Sequence, residues 1–411
     1  MIDALARLRG PHIRFALTIA LAAGPNGALH AAPRVPASDL EIVEKLPYSL
    51  ADPALRQLRQ AQRQLAAEPD NLSLALDVAR GFSERGRITG DPRWSGYAEA
   101  ALRPWLALAT PPREVLLLRA TLAQRSHRFD AALADLDALL QIDPNNAQAR
   151  LTRATVLQVR GEFRLAGREC RRLERLAPEL IAAACIAAVN GATGHQSASQ
   201  ARLEEVLRRH SDADPGIRAW VLTELGEMAC RAGLAPAAET FFREALSLEP
   251  SDFYLLGAYA DFLLDQGRGA EAADLLKAEV KADPLLLRYA LALKSVRSRE
   301  LQRWVDELRG RFDASRARGD RVHLREEARF ALHLVGDAKG ALKLAQENWA
   351  VQKEPADLRI LLEASLAAGD DATLRLARAW RSDTGLEDVS ITRLLEQAPS
   401  GSRRSGTLSR S

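Results

Sequence analysis

The chain has 411 residues, which is too long for one compact core and suits either a few globular domains or one repeat array. Aromatic residues are only 5% of the chain and runs rich in Val, Ile or Thr are few, so an all-α fold is expected. The formal charge of +3 sits at the two ends, because segments 1–32 and 399–411 carry +2 and +3 and leave −2 for the rest. A body without excess positive charge argues against nucleic acid as a partner.

Segment 1–32 is predicted to be an export signal that is removed from the mature protein. Three arginines precede the apolar stretch 15–23, which is too short to span a bilayer, and small residues follow at 31–32. The alternative interpretation is an amphipathic first helix of a cytosolic protein. No other stretch is long and apolar enough for a transmembrane helix, so we expect a periplasmic or secreted bacterial protein with an extended N-terminal segment at 33–52.

One pattern of small, aromatic and helix-breaking residues recurs about every 34 residues. In segment 219–252 it comprises Leu225, Gly226, Ala229, Gly233, Ala238, Phe242, Ala245 and Pro250. Segments 113–146, 147–180 and 253–284 repeat it clearly, whereas 321–355 and 356–388 repeat it more weakly. Such self-similarity is typical of repeat architectures. The pattern resembles the tetratricopeptide repeat, which has Leu-Gly, Ala, Gly, Ala, Phe, Ala and Pro at those spacings.

The resemblance implies an all-α, right-handed alpha-solenoid of about eight to nine helical hairpins over residues 53–390, with 53–67 as a capping helix. Small side chains allow the two helices of a hairpin to approach closely, glycine takes the bend between them, and proline stops the second helix. One hairpin cannot bury its apolar face alone, so successive hairpins are expected to nest into an open, curved superhelix. Segment 391–411, rich in Ser, Gly and Arg, is predicted to be a disordered tail.

The resemblance also implies that the first helix of each hairpin lines a concave groove that binds a partner. Thr and Gln recur in register between 113–146 and 147–180, and such groups hydrogen-bond an extended backbone, while Trp and Tyr provide anchors. The alternative is that these rows recur only because the units were duplicated. The candidate groove residues are Leu117, Thr121, Gln124, Arg125, Leu151, Thr155, Gln158, Trp220, Thr223, Glu227, Tyr254, Asp261, Arg325 and Arg329.

Two further sets of charged residues have open interpretations. Arg119 and Arg153 stand where the family usually has Leu, so they either face the groove or mark looser packing. Segment 323–330 is dense in ionisable residues, and it is either a solvated helix face with local pairs or a charged anchor patch in the groove. Within it, the i, i+3 spacing predicts a pair between Glu326 and Arg329.

Cys170 and Cys185 are predicted to form a disulfide. They lie almost equally far from the turn at 177–178, and residues equidistant from the turn of an antiparallel hairpin can face each other. The alternative is a pair of small buried apolar residues. Cys230 has no partner by this reasoning and is expected to be a small residue on an inner helix. No His/Cys spacing predicts a metal site.

The sequence holds no recognisable catalytic motif or phosphate-cradling loop, and no cofactor is expected. We therefore expect a non-enzymatic interaction scaffold of the bacterial envelope that binds a partner protein or peptide in its groove. The first alternative is a cytosolic adaptor or assembly chaperone. The second, less favoured, is an enzyme, which only the histidine and carboxylate cluster at 323–327 supports.

Overall fold

The computed structural model describes Ser38 and residues 52–397, in which there are twenty α-helices and no strand. The predicted signal 1–32, nearly all of segment 33–52 and residues 398–411 lie outside the described residues. The chain divides into the units Met1–Asp52 and Pro53–Ser411, and all the helices belong to the second. The helices are α1 Pro53–Ala67, α2 Leu72–Thr89, α3 Arg93–Leu106, α4 Arg113–Arg125, α5 Phe129–Ile142, α6 Ala147–Val159, α7 Phe163–Leu173, α8 Glu179–Gly191, α9 Gln196–Arg209, α10 Pro215–Arg231, α11 Ala235–Leu248, α12 Phe253–Asp265, α13 Gly269–Leu276, α14 Asp283–Ser295, α15 Leu301–Ala317, α16 Leu324–Phe330, α17 Ala338–Val351, α18 Pro355–Ala368, α19 Asp371–Thr384 and α20 Val389–Gln397.

The helices form nine consecutive antiparallel hairpins, from α2 with α3 to α18 with α19, and α1 and α20 stand at the two ends. Each first helix, such as α4, also contacts the first helix of the next hairpin, such as α6, so the first helices form one continuous row. This arrangement confirms the predicted all-α solenoid. None of the helices between residues 53 and 397 combines the length and apolarity that a bilayer crossing requires.

The small residues of the repeat lie where two helices of a hairpin meet. Ala120 and Ala132 are fully buried between α4 and α5, and the following hairpin repeats the arrangement. Helices α10 and α11 approach especially closely, because a Cβ added to Gly226 would lie 2.7 Å from a ring carbon of the buried Phe242. Gly233, at the bend after α10, has a φ of 76°, a conformation that other residues rarely adopt. The spacing of small residues therefore sets how the hairpins pack.

The predicted cysteine pair is bonded in the structure. The Sγ atoms of Cys170 in α7 and Cys185 in α8 form a disulfide, and the two Cα atoms lie 5.4 Å apart. The bond joins the second helix of one hairpin to the first helix of the next. Cys230 is a free thiol on α10, half-buried on the inner row as the sequence suggests.

Two expectations about the ends and the curvature are wrong. Residues 391–397 belong to α20 and not to a tail, because Ile391 and Leu395 are buried against the last hairpin. The superhelix is also not simply open, because it curves until distant segments touch. We call these contacts the seam: Arg87 with Asp252 (2.5 Å between nitrogen and oxygen), Gln352 with His127 (3.1 Å), the Lys353 amide with the Val159 carbonyl (2.7 Å), and the Phe163 and Trp380 rings (6.1 Å between centroids).

Candidate partner-binding cavity

A cavity of about 2140 Å³ occupies the concave side of the solenoid and is bordered by the seam. Its wall consists chiefly of the inner faces of the first helices, α4, α6, α10, α12, α14, α16 and α18, together with α20. All the predicted groove residues except Leu117 lie on this wall. Leu117 packs instead against the apolar cluster of α4 and α5 that includes Leu116 and Leu136, so its assignment to the groove is wrong.

The wall formed by α4 and α6 is polar and uncharged over most of its length. The hydroxyls of Thr121 and Thr155 donate to the carbonyls of Leu117 and Leu151 one turn earlier, at 2.9 and 3.1 Å, which leaves their oxygens free only to accept. The amides of Gln124 and Gln158 follow in the same register, and neither makes a hydrogen bond within residues 52–397. These two amides therefore offer both donors and acceptors to the cavity.

Arg125 lies beside this polar wall but is held by it. Its Nη1 donates to the backbone carbonyl of Ser83 on α2, and burial lowers the pKa of its guanidinium, with a further lowering from Arg87 that Glu84 opposes. The residue lines the cavity, and no carboxylate between residues 52 and 397 forms an ion pair with it. Its position is set by α2, which the sequence pattern alone did not reveal.

In the middle of the wall, α10 and α12 present two aromatic rings around one carboxylate. The Tyr254 hydroxyl donates to Glu227 Oε1 at 2.9 Å. Tyr254 and Trp220 are 58% and 40% exposed, and both line the cavity. Burial, assisted by the neighbouring Glu224, raises the pKa of Glu227 to about 7. Thr223 is buried and donates to the Ala219 carbonyl at 2.7 Å, so it adds little polarity to this region.

The wall from α12 to α18 carries a series of ion pairs between neighbouring first helices. Asp261 on α12 accepts from Arg288 on α14 at 2.6 Å and from Arg329 on α16 at 2.8 Å. Burial by itself would raise the pKa of Asp261, but these two guanidinium groups outweigh it and hold the pKa below its ordinary value. The predicted pair of Glu326 with Arg329 is absent among the described residues, because Arg329 reaches across to α12 instead.

Arg325 continues the series toward α18. It lies 3.0 Å from Glu354 and 3.4 Å from Asp357, which is fully buried and also accepts from Asn348 at 2.8 Å. Burial raises the pKa of Asp357 to about 6 although Arg325 opposes the rise. Burial would also raise the pKa of Glu326, but Arg325 and His323 lower it to about 2. The segment 323–330 thus lines the cavity, and its arginines are already paired there.

Arg119 and Arg153, for which the sequence allowed two positions, lie away from the cavity. Arg119 pairs with Asp135 on α5 at 2.6 Å and donates to the Leu106 carbonyl at 2.8 Å. Arg153 bridges Asp137 and Glu169 at 2.8 and 3.0 Å. Both therefore replace an apolar contact by ion pairs to second helices, and neither faces the groove.

Sequence reasoning missed the pairs at the end of the array. Arg359 on α18 forms a two-pronged pair with Asp265 on α12, at 2.6 and 2.7 Å, and His333 lies 2.9 Å from Glu363. Burial would raise the pKa of Glu363, but His333 and Arg359 lower it to about 2. The 34-residue pattern is too weak in segment 356–388 to show which residues face the cavity, so the sequence did not identify Arg359 or Glu363.

The charges on the wall nearly balance. Fourteen carboxylates and twelve Lys or Arg side chains line the cavity, so no stripe of uncompensated positive charge exists there for a phosphate backbone. Among residues 52–397, no three His, Cys, Asp or Glu side chains are grouped so that they could hold a metal ion. The arrangement suits a ligand that offers backbone groups and a few charges.

No protein-family model and no curated protein matches the chain. Among solved structures, it is similar to a tetratricopeptide repeat protein from Parabacteroides merdae at 14% identity and a TM-score of 0.36, covering 71% of this chain and 97% of that one. For human IFIT1, solved as a dimer with m7Gppp-AAAA, the identity is 16%, the TM-score is 0.45, and the match covers 84% of each chain. For yeast Tom70 the identity is 12%, the TM-score is 0.39, and the match covers 84% of each chain. At these identities the likeness concerns the fold alone.

The repeated spacing and the observed packing define the class of the molecule. Nine stacked hairpins, with small residues at the close approaches between helices, make the described part of the chain an α-solenoid whose repeat resembles the tetratricopeptide pattern. Its distinguishing feature is the seam, which turns the concave groove into a bordered cavity with a neutral polar wall on one side and an ion-paired wall on the other.

Proposed function

We propose that the protein is a non-enzymatic interaction scaffold that binds an extended segment of a partner protein in its cavity. The observation that carries the proposal is the pair of amides on Gln124 and Gln158, which lie on neighbouring first helices and have no hydrogen-bond partner within residues 52–397. Packed helices lie about 8–10 Å apart, which matches about three residues of an extended chain. The two amides can therefore bind one extended backbone at two places.

The proposed location is the bacterial periplasm or the exterior, and the partner is then a component of the envelope. Two features support this: the signal-like segment 1–32, and the disulfide between Cys170 and Cys185, since such bonds persist in oxidising compartments. The competing proposal is a cytosolic adaptor or assembly chaperone that keeps its first 32 residues. Sequencing the N-terminus of the mature protein decides between them, because only export removes that segment.

The binding proposal is tested first by crosslinking in the envelope fraction and identifying the captured partner. The double variant Gln124→Ala, Gln158→Ala is then compared with wild type for affinity to that partner. Loss of two hydrogen bonds, each about 1 kcal/mol, predicts roughly thirtyfold weaker binding.

The matched control is Gln141→Ala, which removes an exposed amide from the outer helix α5. It should leave the affinity unchanged. Equal affinity of the double variant and wild type would show that these amides do not bind the partner. Equal weakening by the control would show a general effect of amide removal and not a site in the cavity.

A further inference from the structure

Glu227 lies on the cavity wall and forms no ion pair with any residue between 52 and 397. Its only hydrogen bonds within the described residues come from the Tyr254 hydroxyl, at 2.9 and 3.2 Å. Arg231, one turn further along α10, pairs with Glu224 and donates to Gln196 instead. The neighbouring carboxylate Glu354 is held by Arg325. No Lys, Arg or His side chain of the described helices forms an ion pair with Glu227, and Arg231 only opposes the rise in its pKa that burial causes.

The side chains around Glu227 favour a cationic group as ligand. Trp220 lies two turns before it on α10, and Tyr254 lies beside it on α12, both with rings open to the cavity. A guanidinium stacks on aromatic faces and binds carboxylates through its planar fork, so an arginine side chain suits this combination. We call Trp220, Glu227 and Tyr254 the cation subsite.

The chain itself carries such groups in the residues that follow α20. Helix α20 lines the same cavity from Val389 to Gln397, and the fourteen residues after it carry Arg403, Arg404 and Arg410 with no acidic residue. The start of α20 meets the bend after α10, where a Cβ on Gly233 would lie 3.4 Å from Val389 Cγ1. The basic segment therefore leaves from the wall that carries its complementary charge.

The distances permit the segment to reach the subsite. Eight residues of α20 and the six residues from Glu227 to Gly233 together span about 21 Å at a helical rise of 1.5 Å per residue, and the contact between Gly233 and Val389 adds several ångströms to this path. The seven residues from Gln397 to Arg404 span about 23 Å when extended, and the arginine side chain adds to this. The path along the two helices is also longer than the straight line through the cavity.

We propose that the arginine pair at 403–404 occupies the cation subsite in the unliganded protein and competes there with partner segments. The proposal goes beyond the binding function, because it concerns residues 398–411 and the wall of α10 and α12, whereas the partner test concerns α4 and α6. A short connection between two binding groups gives an effective concentration on the order of 1 mM. A segment that binds with a Kd of about 100 µM as a free peptide would thus weaken a competitor about tenfold.

The test uses a fluorescein-labelled peptide of residues 398–411 and the full chain. The variant Arg403→Gln, Arg404→Gln is expected to bind the peptide about tenfold more tightly than wild type, because its own segment no longer competes. Adding Glu227→Gln to that variant should weaken binding at least fivefold. Adding Glu249→Gln, which alters another carboxylate of the wall, should not.

Three outcomes would overturn the proposal. The first is equal affinity of wild type and the arginine variant, which would show that the segment does not occupy the cavity. The second is equal weakening by Glu227→Gln and Glu249→Gln, which would show that the peptide responds to the summed negative charge of the cavity wall and not to the cation subsite. The third is no binding of the peptide to any variant that retains the circular dichroism spectrum and melting temperature of wild type.

Discussion

Substituting Gly226 by alanine tests whether close helix approach builds this solenoid. The new Cβ would lie 2.7 Å from Phe242 Cε1 and 2.9 Å from two further ring carbons, and the ring is completely buried. The ring cannot move without disturbing its contacts with Tyr259 and Phe262, whose centroids lie 5.6 and 5.8 Å away. Overpacking of this kind costs about 1–3 kcal/mol.

The matched control is Gly310→Ala in the exposed face of α15, where an added Cβ meets nothing within 4 Å. Alanine favours the helix over glycine by about 1 kcal/mol at both positions, so the difference between the two variants isolates the clash. Urea unfolding followed by circular dichroism should place Gly226→Ala about 1–3 kcal/mol below Gly310→Ala. Equal stability of the two variants would refute the view that this position must be small.

Three further predictions concern the bonds that hold the array together. Replacing Cys170 and Cys185 by serine should lower the free energy of unfolding by about 3 kcal/mol, the value for a loop of 15 residues, and reduction of wild type should give the same loss in urea titrations. Phe163→Ala should loosen the seam by removing the ring packed near Trp380, and an unchanged radius of gyration in X-ray scattering would contradict this. Burial lowers the pKa of His127 to about 4. Between pH 6.5 and 4 the unfolded state binds more protons than the folded state. The contribution of His127 to the free energy of unfolding should therefore be fully present above pH 6.5 and be lost as the pH falls from 6.5 to 4, by at most about 3 kcal/mol. Asparagine tolerates the φ of 53° at this position, so the melting temperature of His127→Asn should depend less on pH between 6.5 and 4 than that of wild type.

The interval between small residues was sufficient to predict the helices, the hairpins and the inner row. Only residues as small as Ala120 and Gly226 fit where two helices approach this closely, so their recurrence at a fixed interval indicates the packing directly from the sequence. The same local geometry placed Cys170 opposite Cys185, because residues equidistant from one turn are brought together by that turn alone. The inner positions of each repeat likewise predicted that Gln124 and Gln158 share one wall.

The seam and the ion-paired wall depended on the tertiary structure. His127 and Gln352 are 225 residues apart in the chain, and their meeting follows from the small rotation at each of several hairpins, which no local pattern encodes. The partners of Arg329 were also undetermined, because an arginine on a repeat can reach its own helix or either neighbour. Spacing along the chain fixes the contacts within a hairpin and between adjacent hairpins, whereas accumulated curvature decides which distant surfaces enclose the cavity.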